Sequence, residues 1–150
     1  MAFNTESEMD DAELDEFLAA HETGVLSLAR DDEPYAIPIS YGYDTSDRTI
    51  YVRLVSTPES EKRDFLSSSP RTRIVVYDDE DDLYRSVVVI GTLDAIEPQD
   101  LTAEDIEQYG KTKRPLFEIW AQDKRALDIE LYRCEAETVS GRIVEIDRSR

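Results

Sequence analysis

The chain has 150 residues, 40% of them hydrophobic, which suits one domain with a core of ordinary size. Asp and Glu number 35 against 17 Lys and Arg, a formal net charge of -18. That surface would repel nucleic acid and anionic membranes, so neither is an expected partner. No apolar run approaches the roughly 18 residues of a membrane-crossing helix. The acidic start, MAFNTESEMDDAELDE, lacks the basic region and apolar stretch of a secretory signal. A cytoplasmic protein is expected. The acids are spread along the chain, and only Lys62, Lys111, Lys113 and Lys124 are lysines. This pattern suits a salt-rich cytoplasm, where a Debye length of about 3 Å at 1 M screens self-repulsion. An ordinary acidic protein is the alternative.

Residues 10–21 read as an amphipathic helix. Asp10 is the expected N-cap, with Glu13 completing a capping box. Leu14, Phe17, Leu18 and His21 recur at helical spacing on one face. His21, the only histidine, reads as a packed side chain rather than a ligand. Strands follow at 25–30, 35–43 and 49–55, joined by turns DDEP (31–34) and TSDR (45–48). Pro38 denies its strand one ladder donor, so it belongs on an edge, at a bulge or beside a ligand.

Thr57 and Pro58 are a cap and first residue for a short helix over 58–67. Strands 71–78 and 83–97 flank an acidic run, Asp78 to Asp82, expected to be a solvated loop. Gly91 marks a bulge or bend. A capped helix is predicted from Thr102 to Gly110, and 126–146 returns to strand. Residues 111–125, which contain Trp120, have no clear assignment. The order predicts a mainly β fold: an antiparallel, six-stranded, closed or partly closed barrel with flanking helices.

Much chemistry is excluded. The five glycines form neither GxGxxG nor a P-loop. One His and one Cys cannot assemble a zinc site or a disulfide within the chain. Cys134 reads as a core residue, with a reactive thiol as the lesser alternative. The acidic run lacks EF-hand spacing. What remains is the start of the 58–67 helix, where free N–H groups and Lys62 favour a phosphate. Lys62 can equally be an exposed helix cation.

The run from GVLSLARDDEPYAIPISYGYD through TIYVRLVSTPESEKRDFLSSSPRTRIVVYDD to LYRSVVVIGTLDAIE resembles the pyridoxamine 5′-phosphate oxidase-like superfamily. Its nitroimidazole-resistance-type, FMN-binding branch is the nearest. The resemblance covers residues 10–98 well and the last third loosely, through LYRCEAETVSGR. It implies a split β-barrel, FMN as cofactor, and a homodimer with the flavin at the subunit interface. A flavin-dependent oxidoreductase acting on a small molecule is implied; a non-catalytic module holding haem, a deazaflavin or another ligand is the alternative.

Carried onto this sequence, the resemblance places Ile39, Ser40 and Tyr41 along the isoalloxazine. Lys62, eight residues before Pro70, falls on the phosphate, and Ser86 with Arg85 lies near phosphate or ribityl oxygens. Arg53 stands where the family usually has His, and Ser60-Glu61 where Gly often precedes the lysine. Trp120 is either a packed aromatic or a flavin-stacking residue from the partner subunit.

Overall fold

The computed structural model describes residues 4–56, 65–66, 70–111 and 128–146. The strands are β1 (Asn4–Glu8), β2 (Thr23–Arg30), β3 (Glu33–Asp44), β4 (Thr49–Ser56), β5 (Arg71–Glu80), β6 (Leu83–Ile96) and β7 (Asp128–Ile146). The helices are α1 (Asp11–Ala20) and α2 (Ala103–Lys111), with a short 3-10 turn at Pro98–Asp100. Every strand pairing is antiparallel. The sheet order is β1-β7-β4-β3-β2-β5-β6, and β6 also pairs with β7. Strands β2 to β7 therefore close into the expected six-stranded barrel.

β1 is a seventh strand that the sequence did not suggest. β4 covers one edge of β7 only over Asp128–Glu135. β1 occupies the far end of that edge, pairing Asn4–Glu8 with Arg142–Ile146. Its polar sequence, NTESE, has little strand propensity; satisfying β7's backbone groups places it there.

Period-2 alternation supplies the barrel interior. Leu26, Ile50, Val52, Ile74, Val76, Val87, Val89 and Leu93 are completely buried. α1 closes one end, and its Leu14, Phe17 and Leu18 join the core. Asp10 caps it as read: its side chain accepts from the Glu13 N–H at 2.8 Å, and the Glu13 carboxylate accepts from the Asp10 N–H at 3.2 Å. Burial of α1's apolar face, not propensity, holds so short a helix. α2 begins with the same device, Thr102 and Asp105 exchanging hydrogen bonds of 3.1 and 3.0 Å.

Two hairpins are tighter than the sequence suggested. The β2–β3 turn is Asp31-Asp32, with φ of 49° and 67°, and the β5–β6 turn is Asp81-Asp82, with φ of 53° and 61°. Both fit type I′ geometry, whose left-handed positions Asp tolerates. Only two residues of the Asp78–Asp82 run are therefore loop; Asp78, Asp79 and Glu80 belong to β5. Gly91 lies at the expected bulge, where the β6–β7 register shifts. Pro38 pairs with Val25 of β2, while β4 meets β3 only over Tyr41–Asp44. Among the described residues, β3 is thus an edge at Pro38. Of the predicted 58–67 helix, Phe65 and Leu66 are described; both are helical and buried, and Phe65 stacks on Tyr35 with ring centroids 5.0 Å apart.

Candidate functional site

The residues singled out by the sequence separate onto three parts of the barrel. Ile39 and Tyr41 point into the core. The Tyr41 hydroxyl donates to the Leu18 carbonyl at 2.7 Å. Burial, followed by the charges of Tyr43 and Glu22, pushes the Tyr41 phenol well above its usual range. These two side chains serve packing; only their backbone is available to a ligand. Ser40 and Arg53 alternate to the outer face of β3 and β4, where Ser40 is buried and Arg53 half-buried. Tyr51 shares that face, and burial, with the Asp105 carboxylate of α2, holds its phenol protonated. Ser86 is also on the outer face, on β6. Lys62 and Trp120 lie outside the described residues.

Arg85 takes a third position, at the α1 end of the barrel. Its Nε donates to Asp78 Oδ1 at 3.0 Å, and its Nη2 donates to Asp78 Oδ2. The guanidinium lies 5.1 Å from the Phe17 ring centroid. His21 Nε2 meets Asp78 Oδ2 at 3.0 Å, its Nδ1 meets the Phe17 carbonyl at 2.8 Å, and its ring stacks on Phe17 at 4.1 Å. Burial alone would raise the Asp78 carboxyl, but hydrogen bonds and charge from Arg85, then His21, hold it below the usual carboxylate range. The expectation of a solvated Asp78 is thereby corrected: a strand residue facing inward beside Arg85 is drawn into an ion pair.

A cleft of about 180 Å³ opens beside this cluster, lined in part by Glu13, Glu16, Phe17, His21, Arg85 and Ile143. Both His21 nitrogens are committed to protein oxygens, so the ring offers the cleft neither base nor ligand. Arg85 is likewise committed to Asp78. The cluster ties α1 to β5 and β6. Among the described residues, no group of three or more His, Cys, Asp or Glu could hold a metal ion.

The larger feature is the outer sheet face itself. Register aligns Pro38, Val25, Val75 and Val88 in one row across β3, β2, β5 and β6. The row beside it is Ala36, Ser27, Arg73 and Ile90, and Tyr77 pairs with Ser86 on the far side of Val75 and Val88. Val25, Val75, Val88 and Ile90 are half-buried, and Tyr77 is 67% exposed. At 4.7–4.9 Å between strands, the apolar row spans roughly 14 Å.

This strand order, with its edge at Pro38 and bulge at Gly91, belongs to a chain whose residues 10–143 match the family model for pyridoxamine 5′-phosphate oxidase. The chain belongs to that family. Solved structures repeat the fold. A FAD-binding protein from Mesorhizobium loti is 22% identical, covering 95% of this chain and 99% of its own, with a TM-score of 0.71. The FAD binding protein of Mycobacterium smegmatis is 15% identical, covering 93% and 98%, with a TM-score of 0.65. A Bacteroides thetaiotaomicron protein named for 5-nitroimidazole antibiotic resistance is 14% identical, covering 97% and 93%, with a TM-score of 0.67. No curated protein matches the sequence.

Within the family fold, Ser40, Arg53 and Ser86 share the outer face with residues the sequence reading passed over: Val25, Ser27, Arg73, Val75 and Val88. The available signal was alternation. Arg71, Arg73, Val75 and Tyr77 form one face of β5, while Thr72, Ile74 and Val76 form the buried one. No helix among the described residues is long and apolar enough to cross a membrane.

Proposed function

We propose that the protein binds FMN on the outer face of β2, β3, β5 and β6, between two copies of the chain, and acts as a flavin-dependent oxidoreductase on a small molecule. The observation that carries this reading is the apolar row Pro38–Val25–Val75–Val88, bordered by the polar side chains Ser40, Arg53, Ser27, Arg73 and Ser86. A flat apolar floor suits a planar ring system, and its polar border suits a hydroxylated, phosphorylated tail. The family match, and two structural neighbours named for FAD binding, support a flavin as the group involved.

A bound flavin supplies hydride and electron transfer. The chain's part is to hold and orient it. Val25, Pro38 and Val75 exclude water from one ring face, Ser40 and Ser86 offer hydroxyls, and Lys62 and Arg53 offer positive charge. An apolar, partly exposed sheet face carrying Tyr77 is costly to leave in water, and a twofold contact covers it on both copies at once.

The test is analysis of the purified protein in molar salt. A yellow protein that releases FMN on denaturation, and sediments as a dimer, is the expected result. Bound haem or deazaflavin, or a colourless monomer that takes up no added flavin, overturns the reading.

A further inference from the structure

We infer that Arg73, with the Ser27 hydroxyl beside it, recognises the phosphate group of the flavin nucleotide on the outer face. The inference rests on the flavin reading above and assigns a residue to its anionic end.

Placement is the first ground. Arg73 is exposed on the outer side of β5, one row from the apolar strip. Its cross-strand neighbours are Ser27 of β2 and Ile90 of β6, and beyond Ser27 lies Ala36 of β3. Among the described residues, the cross-strand neighbours on the β2–β3 side, Ser27 and Ala36, are small side chains. The β2 backbone beneath is fixed: the Thr72 hydroxyl donates to the Ser27 carbonyl at 2.8 Å. Among the described residues Ser27's own hydroxyl has no hydrogen-bond partner, so it can serve as a second donor.

Charge is the second ground. The chain has twice as many acids as bases, and four of its described arginines are paired with carboxylates. Arg48 meets Asp11 and Asp15, Arg71 meets Glu137, Arg85 meets Asp78, and Arg142 meets Glu6. Arg73 has no carboxylate partner among the described residues. Its same-face neighbours along β5 are Arg71 and Val75. A phosphate approaching a surface of net charge -18 meets repulsion unless cations offset it locally. Arg73 provides such a place beside an apolar floor, while Arg71 next to it on the same face is already paired with Glu137. The planar guanidinium fork matches two phosphate oxygens at once.

The experiment titrates the flavin-stripped full chain with FMN, FAD and riboflavin at one fixed molar KCl concentration. Wild type is compared with Arg73→Ala and Arg73→Gln, and circular dichroism verifies folding. Losing hydrogen bonds to a charged group should weaken FMN binding about 10- to 150-fold in both variants. Riboflavin, which lacks the phosphate, should bind all three proteins alike. An equal loss for FAD assigns Arg73 to the phosphate shared by both nucleotides; loss confined to FMN assigns it to the terminal monoester. Unchanged FMN affinity, or equal losses for FMN and riboflavin, overturns the role of Arg73 and leaves the flavin reading standing. A folded wild type that binds none of the three overturns both.

Discussion

Asp78→Asn tests the cluster that fastens α1 to the barrel. The Asp78 side chain is 13% exposed, against 34% for Arg85 and 24% for His21. The substitution preserves shape, removes the charge, and turns an amide N–H₂ toward groups that are themselves donors. Breaking a fully buried pair costs about 3–5 kcal/mol. Arg85 is one-third exposed and water recovers part of that, so about 2–3 kcal/mol is expected. At this chain length, that lowers the melting temperature by roughly 5–10 °C. The pH dependence has a defined sign. Asp78 titrates below its ordinary value in the folded protein. Its contribution is therefore complete above the unfolded value of about 3.9 and is lost as pH falls through the folded value. Thermal melts of both proteins in molar KCl, at pH 7 and in steps below pH 4, measure the difference. Equal melting temperatures at pH 7, or a gap that fails to narrow in acid, would refute the reasoning.

Gly91→Ala should destabilise the fold by at least about 1–3 kcal/mol, because a β-carbon there would lie 2.4 Å from the Glu135 carbonyl oxygen, a backbone atom that cannot yield cheaply. Gly141→Ala meets the ends of Leu14 and Met9 side chains at 2.7 Å and should cost less in the same denaturant titration. Cys134 is fully buried, and burial, then the charges of Asp94, Glu137 and Glu135, pushes its thiol up to about 12. It should resist a thiol reagent at pH 8 until denaturant unfolds the chain; rapid native labelling would contradict the burial. Stability should rise markedly from dilute buffer to molar KCl, because screening relieves the self-repulsion of a -18 chain; equal melting temperatures at both salts would count against this.

Local rules carried far in this protein. The capping box at Asp10 and Glu13, the alternation of β4 and β5, and the bulge at Gly91 are decided within a few residues, so the sequence displays them. The antiparallel barrel follows, since strands joined by short turns must pair with neighbours and a small sheet closes to remove its edges. The strip of site residues was only partly legible. The outward side of Arg53 follows from the alternation of β4, but the resemblance named Ile39, Ser40 and Tyr41 together although Ile39 and Tyr41 point into the core, and residue type alone does not reveal which face is wet.

Three features were decided by the tertiary structure. NTESE becomes β1 because β7 outruns β4 and has a free edge to satisfy. Asp78 leaves the solvent because closure of the barrel brings it, 57 residues along the chain, against His21 at the end of α1. Arg73 acquires its small neighbours because the β2–β5 register, which no local pattern sets, lays it beside Ser27. Sequence determines what each residue can do within its own turn or strand. Which distant groups it meets depends on register and closure, and those are settled only when the whole sheet pairs.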